Sequence, residues 1–158
     1  METLRPWIST VARLGLAAVW LIAGATKIGD LAESGRAVNA YQLMSYDVAK
    51  VVGAVQPFLE IALGLLLLAG LATRLTAAIS AVLLALFIGG IVSAWARGLR
   101  IDCGCFSTGG ELAAGRTTEY GLDIARDVGF LVLAGILLWW PRTRFSVDSA
   151  LMGEMGER

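Results

Sequence analysis

Histidine is absent from this chain, cysteine occurs only twice, and charge is scarce. Without histidine there is no axial ligand for haem, and C-x-x-C-H is missing as well. A zinc site would have to be built from two thiolates and two further ligands, and Asp102 and Glu111 are poor candidates for that task. The net charge is zero, from 13 basic and 13 acidic residues, and no basic patch or arm stands out. Nucleic-acid binding therefore has no support. Only 16% of the 158 residues are charged while 57% are hydrophobic, a balance too apolar for an ordinary soluble domain of this length. The alternation that marks membrane strands is missing, and no internal repeat or lipidation motif is present.

What is present is a set of four continuous apolar segments, at Trp7–Ile28, Val51–Leu71, Leu75–Ala96 and Gly121–Trp140. Each has roughly the 20 residues that a helix needs to cross ~30 Å of hydrocarbon. The expected fold is all-α, an integral membrane four-helix bundle over residues 1–145, followed by a disordered tail over residues 146–158. Arg5 ahead of an apolar run, with Ala23-Gly24-Ala25 behind it, mimics a secretory leader; the segment is read as a retained span. Ala72-Thr73-Arg74 makes the second and third spans an antiparallel hairpin. The two long connections then share the opposite face. In the first, Asp30 and Glu33 resemble a capping box, and Ala37, Tyr41 and Met44 share a helical face. This predicts a short helix lying at the membrane interface with Tyr41 as its anchor.

The second long connection carries Cys103-Gly104-Cys105. A disulfide between residues two apart closes a very small ring, and Gly104 removes the side chain that would obstruct the turn. Such a bond staples almost nothing, because stabilisation grows with the length of the closed loop. Strained, exposed disulfides are the labile kind. The pair reads as redox-active, with two alternatives open: reduced thiols that simply pack, or a carrier of a soft metal or persulfide. Lysine and arginine are spread evenly over the two faces, so charge does not orient the chain. A disulfide needs an oxidising compartment. That places the cysteine loop outside the bacterial cytoplasmic membrane and both termini in the cytoplasm.

Charges inside the apolar segments form a second constellation. Arg13 and Lys27 lie in the first span, Glu60 in the second, and Arg126 and Asp127 in the fourth with Asp123 on the same face. Ionisable groups at such depth face a bundle interior in pairs. At ~1.5 Å per residue, Glu60 lies roughly 10–15 Å from the loop face and Arg126 roughly 8–9 Å, which makes them the best-matched pair. Lys27 is within reach of Asp123 or Asp127, and Arg13 is expected to snorkel to the terminal face. Arg13, Trp20, Gly24 and Lys27 line one side of the first span, and Gly24 and Gly64 allow close helix approach. Pro57 is placed to kink the second span. The cluster reads either as an ion-pair set that fixes helix register or as a proton path or quinone-headgroup site beside the cysteines.

Arg13-Leu14, Ala23-Gly24-Ala25-Thr26-Lys27, Pro57-x-x-Glu60-x-x-x-Gly64, Asp102-Cys103-Gly104-Cys105-Phe106 and Arg126 together resemble the DoxX-like superfamily, and within it the methylamine-utilisation MauE type. The resemblance spans most of residues 10–140, with Ser107 standing where glycine is expected. It implies a four-helix membrane protein that works beside an extracytoplasmic thioredoxin-like protein in disulfide formation. Through the DoxX side it also implies a link to quinones and the respiratory chain. Carried over residue by residue, it makes Cys103 and Cys105 the redox pair and Glu60 and Arg126 a supporting polar pair. A competing reading is a noncatalytic accessory subunit of a larger membrane assembly such as a respiratory-chain complex. Two cysteines are few for a complete electron relay, which favours a conduit or accessory role. Transport is the weakest reading, because four spans without a repeat make a thin pore.

Overall fold

The computed structural model describes residues 4–103, 109–112, 117–141, 143, 144 and 146–148. Among them, helices run over Arg5–Lys27 (α1), Leu31–Ala40 (α2), Tyr46–Ala69 (α3), Thr73–Ala96 (α4) and Tyr120–Trp139 (α5). Local signals set their ends. Pro6 sits in the first turn of α1, where its missing N–H costs nothing. Asp30 caps α2 by accepting from the Glu33 N–H at 2.8 Å. Gly70, at φ 68°, terminates α3 in the left-handed conformation that glycine adopts most readily. The second predicted span begins five residues early, at Tyr46 rather than Val51. Asp47 and Lys50 interrupt its apolar run, so hydropathy alone does not reveal that first turn. The helix continues through Pro57.

Three helices, α1, α3 and α4, are long and apolar enough to cross a membrane. Helix α5 differs from the fourth predicted span in one respect. It has 20 residues, but Asp123, Arg126 and Asp127 occupy its first turns. Its uncharged remainder, Val128–Trp139, covers only about 18 Å at ~1.5 Å per residue. The four long helices share one apolar core, with Leu16 and Trp20 of α1, Leu63 and Leu67 of α3, Leu84 of α4 and Leu137 of α5. Trp20 Nε1 donates to Ser80 Oγ at 2.9 Å, satisfying a buried polar pair between α1 and α4. Much of the outer surface is as apolar as the core: Leu86 is 64% exposed, and Val11, Val82, Leu122 and Val132 are exposed too. An apolar exterior of this extent fits lipid as the solvent.

The loop face carries two features that the sequence reading did not describe. Loop two contains a short strand pair. Ile101–Asp102 (β1) and Gly110–Glu111 (β2) pair antiparallel, with Ile101 opposite Glu111 and Asp102 opposite Gly110. Helix α2, the short helix expected in loop one, is seated on α3. A Cβ on Gly53 would come within 2.6 Å of Gly35 Cα, so only glycine permits this approach. Arg97 then ties the end of α2 to α4, donating to the carbonyls of Tyr41, Gln42 and Ser93. A second apolar cluster, of Ala40, Ile91, Ala94, Ile101 and Tyr120, underlies the β pair.

Candidate functional site

Cys103 follows β1 directly, and two tyrosines fix its position. Tyr120, buried at the start of α5, donates from its hydroxyl to Leu99 O at 2.6 Å and accepts from the Ile101 N–H at 3.1 Å. Tyr41 donates to Cys103 O at 2.9 Å. Tyr41, expected as an interfacial anchor, is also a strut under the cysteine segment. Arg126 reaches the same segment from α5. Its Nη2 lies 3.3 Å from Cys103 Sγ, its Nη1 3.0 Å from Asp123 Oδ1 and its Nε 3.2 Å from Asp127 Oδ1. Two carboxylates thus aim the guanidinium at sulfur. Thiolate is the nucleophilic form of cysteine, and a neighbouring arginine is one of the settings in which reactive cysteines occur. Cys105 lies outside the described residues.

Glu60 has a different partner from the one expected. The Lys27 ammonium bonds both carboxylate oxygens, at 2.9 and 3.0 Å, and Gln56 Nε2 donates to Oε1 at 2.8 Å. The Glu60–Arg126 pair is thus replaced by Lys27–Glu60, and the reach of Lys27 toward Asp123 or Asp127 by this same bond. The cause is the crossing of α1 and α3. A Cβ on Gly24 would lie 2.8 Å from Pro57 O, and one on Gly64 would lie 2.6 Å from Leu21 Cγ. Lys27 lies one turn after Gly24 on α1 and Glu60 one turn after Pro57 on the antiparallel α3, so their side chains reach toward each other across this contact. The pair is buried, with side-chain exposures of 7% and 1%.

Arg13 belongs to the opposite end of the molecule. It is 2% exposed and does not snorkel. Its Nη1 donates to Leu67 O and Leu68 O at 3.0 and 3.2 Å, and its Nη2 to Arg144 O at 3.2 Å. It thereby caps the last turn of α3, where Leu67 O also accepts from the Gly70 N–H at 3.1 Å. Asp148 completes this clasp by accepting from the Ala72 and Thr73 N–H groups at 2.8 Å each. Burial pushes the Asp148 carboxyl up, but those two N–H bonds and the Arg13 charge outweigh it and hold the group below the usual carboxylate range. Ser146 and Asp148, the first residues of the expected tail, dock here, and residues 149–158 lie outside the described residues.

A cavity of about 570 Å³ connects the two polar groups of the loop face. Its walls come from α2, α3 and α4, with Val55, Leu59, Leu86 and Phe87 among the apolar lining. Lys27, Gln56 and Glu60 line it as well, as do Tyr41 and Cys103. Among the described residues no group of three or more cysteines, aspartates or glutamates is placed to hold a metal ion.

A family model described as methylamine utilisation protein MauE matches residues 5–140, which is most of the chain. The chain belongs to this family. The match takes in all the long helices, the cysteine segment and both polar groups described above. Comparison with curated proteins and with solved structures gave no match. As a MauE protein the chain is a multi-pass membrane protein associated with methylamine utilisation. Within that MauE frame, sequence reasoning missed Tyr120 and Gln56. Gln56 had a signal, since it lies four residues before Glu60 on the same helical face. Tyr120 had none, because its role depends on where β1 passes.

Proposed function

We propose that this chain is a thiol–disulfide redox protein of the bacterial cytoplasmic membrane, with α5 as a fourth crossing and the cysteine loop outside. The Cys103–Cys105 pair exchanges with a thioredoxin-like protein on that face. A thiolate of the partner attacks the disulfide, a mixed disulfide forms, and the second partner thiolate resolves it. The partner leaves oxidised and the chain keeps two thiols, so atoms and electrons balance. The observation that carries this reading is the Arg126 guanidinium held on Cys103 Sγ by Asp123 and Asp127. A thiol that merely packs needs no oriented cation. The placement of Cys103 beside β1, braced by Tyr41, supports access for a protein partner.

Single Cys103→Ser and Cys105→Ser variants test the reading. One of them is expected to accumulate a mixed disulfide with a thioredoxin-fold protein, seen as a reducible band that contains both chains. Removal of both thiols should abolish oxidation of that partner while the helices remain folded, because the small loop adds little stability. Wild-type growth on methylamine by the double variant, with intact assembly, would instead establish the accessory-subunit reading.

A further inference from the structure

Helices α3 and α4 join at a tight turn and pack sparingly on each other, which leaves a slot between them toward the loop face. This slot is the cavity of about 570 Å³, within the ~300–1,000 Å³ usual for small-molecule sites. Its lining runs from Val51 to Glu60 on α3 and from Leu83 to Gly90 on α4, about 14 Å and about 10 Å at ~1.5 Å per residue. That length is close to half of a ~30 Å hydrocarbon core, the depth of one leaflet. The rim is apolar and open: Val51, Val55 and Leu86 are more than half exposed, on helices apolar enough to cross a membrane. Water finds no partners along such walls, and an empty slot forfeits the dispersion contacts that a hydrocarbon chain makes. Lys27 and Glu60, at the deep end, are turned on each other with both carboxylate oxygens bonded, so they recruit no ionic ligand.

The loop end of the slot carries a cation. Exposed Arg97 is tied to Tyr41 O, Gln42 O and Ser93 O, which occupy three of the five N–H groups of a guanidinium and leave two. Tyr41 and Cys103 form the wall at this end. The Tyr41 ring lies on α4, where a Cβ on Gly90 would be 3.5 Å from it, and its hydroxyl holds Cys103 O. An apolar slot one leaflet deep, with a fixed cation where the slot meets the loop face, has the outline of a phospholipid.

We propose that the slot binds a phospholipid of the loop-side leaflet, with one acyl chain between α3 and α4 and the phosphate at Arg97. The chain is the floor beneath Cys103. It closes the sulfur off from the bilayer, so that reactants reach it from the loop face alone. No bond is made or broken, and neither the site nor the seal depends on a disulfide.

The test uses the full chain in phospholipid nanodiscs, with a phosphatidylglycerol that carries a diazirine in one acyl chain as the probe. Photolabel is expected on Val38 and Phe87, half-buried lining residues, as well as on the exposed Val11 and Val132 that bulk lipid reaches. One phospholipid per chain should survive transfer to detergent, seen by native mass spectrometry. Val55→Trp and Leu86→Trp add bulk at the rim from the lipid side, where it does not disturb the core. Each should weaken phospholipid retention by about tenfold or more, the equivalent of ~1.4 kcal/mol, with helix content unchanged. Label confined to the outer surface, or wild-type retention by both variants, overturns the site. A diacylglycerol with the same chains should be retained less; equal retention removes the phosphate and Arg97 from the assignment. Displacement by lauric acid at equal concentration assigns the slot to a free fatty acid and overturns the phospholipid. The seal is read in a Cys105→Ser chain. A lipophilic maleimide should alkylate Cys103 severalfold faster once the chain is delipidated, and added phospholipid should restore the slow rate. Equal rates with the slot filled and empty overturn the seal.

Discussion

A carboxylate 1% exposed in the middle of an apolar helix persists only if something neutralises it, and Glu60 has Lys27. Breaking a buried pair costs about 3–5 kcal/mol because one charge is left stranded, whereas replacing both members by apolar residues can cost far less. Lys27→Met is therefore expected to lower thermal stability in detergent sharply, and Lys27→Met combined with Glu60→Met to recover most of the loss. Equal, additive losses would mean that the two residues do not stabilise each other. At Cys103, Arg126→Leu should slow alkylation of the remaining thiol in a Cys105→Ser background, and Arg126→Lys should slow it less, because the lysine keeps the charge but not the fork. An unchanged alkylation rate in Arg126→Leu would show that the guanidinium does not activate the sulfur. Burial of Lys27, Glu60 and Asp127 was legible in the sequence, because charges within apolar runs have to be sheltered. The pairing was not. Counting residues gives the height of a side chain along a helix. The azimuth that brings Lys27 to Glu60 depends on where Gly24 meets Pro57, which is a tertiary contact.

Glycine contacts decide how the elements dock. At Gly53 a new Cβ would meet Ser34 O at 2.5 Å and Gly35 Cα at 2.6 Å, and both are backbone atoms that cannot swing away. Gly53→Leu should therefore lift α2 from α3, at a cost of about 1–3 kcal/mol for overpacking. Limited proteolysis in the α2 segment is the direct measurement, with Gly129→Ala as the control, since nothing stands within 4 Å of Gly129. Equal protection of Gly53→Leu and wild type would mean that α2 is held by other contacts. The same contacts explain what was readable at this scale. Continuous apolar runs revealed α1, α3 and α4, and the Asp30–Glu33 spacing revealed the start of α2. The face on which α2 lands was hidden, because Gly35 and Gly53 carry no pattern until they are brought together. The two-residue strands were hidden as well. Pairs that short have no period of their own, and Tyr120 holds β1 in place from 19 residues away.

The whole molecule is a bundle with a clasp at one end and the cysteine segment at the other. Asp148 links the clasp to pH. Its carboxyl sits below the ordinary range when folded, so its contribution is complete above the unfolded value of about 3.9 and is lost as pH falls through the lower folded value. Helix caps of this kind contribute about 0.5–2 kcal/mol. Asp148→Ala should melt below wild type at neutral pH, and the gap should narrow in acid; a gap that is constant with pH would remove the charge from the argument. Topology is the harder question, because lysine and arginine are spread evenly over the two faces and charge does not orient the chain. The proposed crossing by helix α5 is where it is tested. Its charged turns are sheltered by Cys103 and by their own pairing, and its apolar remainder ends at Trp139, 84% exposed, and Trp140, over which Arg5 stacks at 5.7 Å. Tryptophan and arginine together mark a membrane–water boundary. Glu119 and Arg144 are exposed at the two ends of this segment, and Arg74 is exposed in the first turn of α4. In a chain with both native cysteines changed to serine, Glu119→Cys should react with an impermeant maleimide on intact cells. Arg144→Cys and Arg74→Cys should react only after the membrane is opened. If Glu119→Cys and Arg144→Cys react from the same side, α5 does not cross, and the chain has three spans with the Arg13–Asp148 clasp drawn across a different boundary.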